Sequence, residues 1–432
     1  MAEGHPKLGP FLATMLVAGG MIGSGVYLLP ASLGAVGSAS ILAWLAAIAG
    51  AAMLAGVFSW LAILKPGAAG LFSYVRDEFG PGAGFVSGVT YWISDWVGNV
   101  AIALAAAGYL SVFVPAVARA PWTNLATLAI LWLFVGANMI GPRFVARFGG
   151  LTLLAGLAPI LIVAIGGWFY FRPEVFAASW NVSGKSLIAV VPAAVVTVFW
   201  AFTGIENASI LAPLVRNPAR HVPIATFAGL AIASLTYLLA CGVIMGILPA
   251  ATLARSSAPF ADAVAPILGA VAAALVAAGA MAKACGTLGG AILTTVETAD
   301  SKAVMGQISR RVGARAAPRA STRHLMWTGL LMTVVTLATI SPTVARQFTV
   351  IIDVSVILGV VVYIAACAAL WRIAGTVAVG RRSIRALALG AVLFCGAMIA
   401  ATEPILLVWS AALVALSVAA YWPVWARRRA RA

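Results

Sequence analysis

The sequence predicts an all-α integral membrane protein with twelve transmembrane helices, and three observations carry that expectation. Hydrophobic residues make up 63% of the 432 positions, charged residues only 9%, and mean hydropathy is +1.06. A soluble domain carries roughly 25% charged residues. Apolar runs of the ~20 residues needed to cross hydrocarbon recur along the whole chain. The basic residues between these runs collect on alternate sides.

The runs fall at 10–33, 38–64, 83–114, 122–141, 148–171, 186–212, 223–248, 266–297, 325–342, 347–371, 385–401 and 404–425. Breakers separate them, as in "LKPGAAG", "IGPRFVARFGG", "VRNPARHVP" and "GRRSIRA". Several connections are so short that neighbouring helices must be antiparallel. With the N-terminus inside, 21 of the 27 Lys/Arg face the cytoplasm. Five (Arg119, Arg172, Lys185, Arg255, Arg346) face out, and Lys283 lies within a span. This bias is the positive-inside rule and places both termini in the cytoplasm. The net charge of +16 is therefore read as topology determinants facing anionic membrane lipid, not as a nucleic-acid surface. The opening "MAEGHPKLGPF" lacks a basic n-region and a small-residue cleavage pattern, so the first run is read as a retained helix. Cys241, Cys285, Cys367 and Cys395 sit in apolar runs at no metal-ligand spacing and are read as core thiols. No Walker motif or hydrolytic constellation is present, so neither an enzyme nor an ATP-driven pump is expected, and no cofactor or metal. One membrane domain, 1–432, is expected, with five-helix sets at 8–171 and 186–373 and two further helices at 385–425.

Two spans look broken at mid-depth. Span 1, "LATMLVAGGMIGSGVYLLPASLG", places Gly19, Gly20, Gly23 and Gly25 around Ser24. Glycine serves close helix packing in membranes; four within seven residues exceed that need and predict an unwound turn whose N–H groups can meet an anion. Span 6 carries "FWAFTGIEN", with Thr203 and Gly204 before Glu206. Breaks at the first helix of each five-helix set point to a transporter binding site. Carbonyls freed in span 6 suit an ammonium group and N–H groups in span 1 a carboxylate, which together predict a site for an α-amino acid headgroup.

"GGMIGSGVYLLPA", "YWISDWVGN", "WAFTGIENAS", "RNPARHVPIA", "SSAPFADA" and "ISPTVARQF" stand in an order and spacing that resembles the basic amino acid/polyamine antiporter branch of the amino acid–polyamine–organocation (APC) superfamily, most of all its arginine/agmatine antiporters. The resemblance covers nearly the whole chain. It implies the five-plus-five inverted repeat of the LeuT-like fold with helices 1 and 6 broken, a bacterial inner membrane and a homodimer. It also implies secondary antiport of a cationic amino acid against its amine or another amino acid. The substrate headgroup would meet Met21, Gly23, Ser24 and Gly25 in span 1 and Trp200, Ala201, Phe202 and Thr203 in span 6. Trp200 matches an aromatic lid, Glu206 a proton-responsive glutamate, and Tyr91 and Tyr363 an outer gate. Asn99 matches a contact to the distal end of the substrate, and Ser355 a substrate-facing serine.

Departures fall where the substrate side chain would be read. Ala291 stands where the arginine/agmatine antiporters have a tryptophan that stacks on guanidinium. Asp95 adds a carboxylate one turn before Asn99, and Lys283 and Asp353 add charges to spans 8 and 10. Two readings of Asp95 stand open. Facing the pocket, it attracts a cationic substrate end, and a point charge suits ammonium better than guanidinium, favouring lysine, ornithine or a diamine. Paired internally with Lys283, it is structural and says nothing of substrate. Exchange or proton-coupled transport of neutral amino acids is then the alternative. Lys283 also lies where relatives of this fold hold sodium, so its ammonium is a candidate ion substitute or proton site.

Overall fold

The computed structural model describes residues 8–66, 70–207, 215–300, 321–377 and 379–429, with side chains at 299–300 and beyond 422 excepted. The end of the expected sixth span, the basic loop "GQISRRVGARAAPRASTR" up to Ala320 and the last three residues of the tail lie outside the described residues. The long helices are α1 (Pro10–Met21), α2 (Ser40–Leu64), α3 (Pro81–Leu110), α4 (Trp122–Ile140), α5 (Pro142–Leu161), α6 (Leu187–Phe199), α7 (Pro218–Ile247), α8 (Pro259–Asp300), α9 (Thr322–Ala338), α10 (Val344–Ile373), α11 (Arg381–Ala401) and α12 (Pro404–Arg429). A short helix, Leu71–Phe79, precedes α3, and another, Leu29–Leu33, follows α1. Among the described residues, nine helices are long and apolar enough to cross a membrane, while α1 and α6 with its following turn form shorter apolar helices. The only extended pairing among the described residues is a parallel bridge between Leu8 and Val215, where Arg216 donates its N–H to the Leu8 carbonyl at 2.9 Å.

Burial separates the centre from the rim. The most apolar window of α3 is 89% buried and that of α10 78%, against 28% for α11 and 17% for α12. α3 and α10 are thus the core, and the large apolar side chains of α11 and α12 that remain exposed suit lipid. Because lipid is as apolar as leucine, packing rather than water exclusion must join such helices, and small residues let backbones approach. α8 lies against α5 and α3, α10 against α3 and α11, α1 against α7, and α2 against α6 and α7. At the α5–α8 contact, a Cβ on Gly156 would stand 2.1 Å from Lys283 Cβ, so only glycine admits the lysine stem there.

α8 begins at Pro259, and Gly269, at φ 82°, kinks it. That left-handed conformation costs glycine little.

Candidate functional site

α1 ends because the chain turns on Ile22. Its φ −72° and ψ 67° form an inverse γ-turn, closed by Gly23 N–H donating to the Met21 carbonyl at 2.6 Å. A one-turn 3-10 helix, Gly25–Tyr27, follows before the chain becomes α-helical again at Leu29. α6 is interrupted at the matching place. Trp200–Phe202 tighten into a 3-10 turn, Thr203 is extended at ψ 139°, and Gly204 takes φ 97°. A side chain at Gly204 would be strained, which explains the glycine after threonine.

The two breaks face one cavity of ≈ 900 Å³. Met21, Gly23, Ser24 and Gly25 line it from the first break, and Trp200, Ala201, Thr203 and Glu206 from the second. α3 contributes Tyr91, Asp95 and Asn99, α8 Ala291, and α10 Ser355 and Tyr363. Of the residues expected to meet substrate, gate the cavity or couple ions, only Phe202 and Lys283 are absent from this lining. The ring of Phe202 is fully buried against Trp44, Phe199 and Tyr237, because the 3-10 turn aims it at α2 and α7. Lys283, expected as an ion or proton site, lies outside the lining. It is 7% exposed with its stem laid over Gly156 of α5.

Asp95 and Lys283 form no ion pair among the described residues, and Asp95 makes no hydrogen bond there either. The Asp95 carboxylate lines the cavity, while the Lys283 stem lies against α5. Asp353 is likewise apart from Lys283, accepting instead from Thr197 Oγ1 at 3.0 Å.

The indole of Trp200 is wedged edge to edge. A Cβ on Gly25 would stand 2.4 Å from its Nε1, and one on Gly98 2.5 Å from its Cη2. Glycine at both positions is what lets the ring lie across the cavity. Beside it, Ser94 and Ser355 each donate to the other's carbonyl at 2.8 Å, pinning α3 to α10.

Glu206 gathers three donors from three elements. Tyr91 of α3 donates to Oε1, Tyr363 of α10 to Oε2 at 2.8 Å, and the Gly204 N–H to Oε2 at 3.1 Å. These are the two tyrosines expected to gate the cavity, and both meet at Glu206. Tyr91 lies ten residues from Pro81 and Tyr363 ten from Ile373, about 15 Å from those helix ends. Those ends lie together, because Arg372 donates to the Glu78 carbonyl and Lys65 pairs with Glu78. The cavity also runs that way, to Phe72, Arg76 and Glu297.

Sequence reasoning missed three site residues. Tyr237 of α7 donates to the carbonyls of Met21 at 2.6 Å and Ala201 at 3.1 Å, tying one break to the other. Thr287 lines the cavity opposite Gly23, and Asn207 lies against Gly20. A lone tyrosine or threonine in an apolar span carries no signal by itself. The hydroxyls of Ser24 and Thr287 are buried without a hydrogen-bond partner, although both line the cavity. Buried polar atoms normally find partners, so these two suit a polar ligand. No group of three or more metal-ligating side chains occurs among the described residues.

Residues 8–424 match the amino acid permease family. A cadaverine/lysine antiporter of Escherichia coli strain K12 is 38% identical over 255 residues, which are 59% of this chain and 57% of that protein. The putrescine transporter PotE of the same strain is 31% identical over 364 residues, 84% of this chain and 83% of the relative. PotE of Haemophilus influenzae is 29% identical over 373 residues, 86% and 85% of the two chains.

Proposed function

Because the chain belongs to the amino acid permease family, we propose that it is a secondary antiporter exchanging a basic amino acid for a diamine by alternating access. The observation that carries this reading is Asp95, a carboxylate without a protein partner among the described residues, facing a cavity between two broken helices. An ionisable group at membrane depth usually serves a substrate or ion path. Cadaverine, lysine and putrescine, for which the relatives are named, carry ammonium ends, which a point-charge carboxylate suits.

In this reading the substrate carboxylate meets the turn at Gly23–Gly25, with Ser24 and Thr287 supplying hydroxyls. Its α-amine meets carbonyls of the Trp200–Thr203 turn. The distal ammonium pairs with Asp95, beside Asn99 and Ser355, and Ala291 leaves the room that an aromatic stack would fill. Trp200 shuts the cavity on one side. On the other, the Tyr91–Glu206–Tyr363 tie joins α3, α6 and α10 and must loosen as the helices move.

The finer architecture belongs to the same proposal: twelve spans in two inverted five-helix repeats, with both termini cytoplasmic in a bacterial inner membrane. Helix contacts support the repeat. Exchanging helices 1–5 with 6–10 turns the α1–α7 contact into α6–α2, and α8–α5 into α3–α10. All four contacts occur, while α2–α7 and α3–α8 map onto themselves.

Exchange in liposomes tests the function. Wild-type protein loaded with unlabelled diamine should take up labelled lysine, ornithine or diamine. Hydrogen bonds to charged groups are worth about 1.5–3 kcal/mol, so Asp95→Asn should weaken those substrates roughly 10- to 150-fold. Wild-type preference for neutral amino acids, with the variant failing on them equally, would overturn the reading in favour of a neutral exchanger.

A further inference from the structure

A second buried carboxylate, outside the substrate cavity, has no part in the scheme above. Asp353 of α10 is 9% exposed and does not line the cavity. Its hydrogen bond is with Thr197 Oγ1 of α6, at 3.0 Å. Thr197 lies three residues before Trp200, one turn farther from the cavity mouth at Arg76. The contact therefore bridges α6 and α10 just beyond the indole that closes the cavity. The charged groups bearing on Asp353 are Arg346, seven residues earlier on α10, and Glu403 in the α11–α12 turn. Those two already pair with each other through two hydrogen bonds of 3.1 and 2.8 Å. From the facing side, α6 presents the hydroxyl of Thr197.

We infer that Asp353 is a proton site coupled to opening of the cavity on the side opposite Arg76, with Thr197 as its latch. This rests on the alternating-access reading. For the cavity to open past Trp200, the first half of α6 must leave α10, which parts Thr197 from Asp353. A bare carboxylate among apolar side chains with one hydroxyl partner is costly, whereas in water it is not. Opening therefore hydrates the group and releases its proton to the medium on that side. Closure takes a proton back: a hydronium ion of the medium gives it to Oδ2, its O–H bond breaking as it leaves as water, and Thr197 Oγ1 again donates to Oδ1. Acid on that side favours the closed form and alkali the open one. Glu206, held from the cavity's other end, takes no part in this step.

Ala194, one turn before Thr197 on α6, is buried in this conformation and reports the opening without any substrate. An Ala194→Cys variant in sealed vesicles is treated with a membrane-impermeant maleimide. Labelling of its peptide is scored by mass spectrometry against the same peptide in unfolded protein at the same pH. Raising the pH on the α6 N-terminal side alone should increase labelling several-fold. Adding Asp353→Asn, which still accepts from Thr197, should abolish that rise. Adding Thr197→Val, which keeps the acid and removes its donor, should increase labelling at acid pH. A flat profile without Asp353→Asn overturns the inference, as does an Asp353→Asn profile like that of Ala194→Cys alone. If Asp353→Asn does not fold, an unchanged Thr197→Val profile decides against it. Absence of lysine–diamine exchange by wild-type protein in the same vesicles would sink the transport reading separately.

Discussion

Gly98→Ala is the sharpest test of how Trp200 closes the cavity. A new Cβ would lie 2.5 Å from Trp200 Cη2 and 3.0 Å from Cζ3, whereas unstrained carbon contacts need about 3.5 Å. The ring would have to retreat by about 1 Å. Its opposite edge is already against Gly25, so sliding in plane only moves the clash. Trp200 must turn off its rotamer or the 3-10 turn must shift, at a cost of about 1–3 kcal/mol for overpacking. That converts to a roughly 5- to 150-fold loss of the closed arrangement, read as slower amine exchange in liposomes. The control is Trp200→Phe, whose shorter ring vacates the space. In that background Gly98→Ala should cost less than about 0.5 kcal/mol, giving a coupling energy within the range known for touching residues. Equal losses in both backgrounds would refute the wedge.

Other outcomes follow from the same geometry. Tyr237→Phe removes the donor shared by the Met21 and Ala201 carbonyls, and should lower stability in a thermal melt by about 1–3 kcal/mol; an unchanged melt would show that the breaks need no tie. Gly156→Ala sets a Cβ 2.1 Å from Lys283 Cβ and should destabilise by about 1–3 kcal/mol, with part recovered by Lys283→Ala. The Arg346 hydrogen bonds hold the Glu403 carboxyl below its ordinary range. That stability is present above the unfolded value of about 4.3 and is lost as pH falls through the lower folded one. Because both side chains are 48% exposed, the gap in melting between wild type and Glu403→Gln should be under ~1 kcal/mol at neutral pH and vanish in strong acid; a gap that grows in acid would contradict the sign.

Much of this was legible in residue order. Apolar length placed the helices, and the clustered glycines around Ser24 and the Thr203–Gly204 pair located both breaks, because those positions need a backbone that only certain residues allow. Facing was harder. Lys283 stands eight residues before Ala291, which at about 100° per residue leaves it some 80° away around the helix. That is enough for one to line the cavity and the other to meet α5. Phe202 sits in a 3-10 turn with three residues per turn, and a motif match does not say which way its ring points. Tyr237 joins breaks 216 and 36 residues distant, and no local pattern announces a contact of that range. The kink at Gly269 reads in sequence as one more packing glycine.

Under the inverted-repeat proposal, the α3–α10 and α5–α8 seams are counterparts, yet their chemistry differs. The reciprocal bonds of Ser94 and Ser355 index α3 against α10: a slip of one residue would swing each hydroxyl about 100° away from its acceptor. Gly156, with the Lys283 stem lying over it, imposes shape on α5 and α8 but no directional bond of that kind. One seam is therefore indexed by directional bonds and the other by a steric fit at a single glycine. Counterpart joints can thus hold their register by different means, one by matched polar pairs and the other by shape.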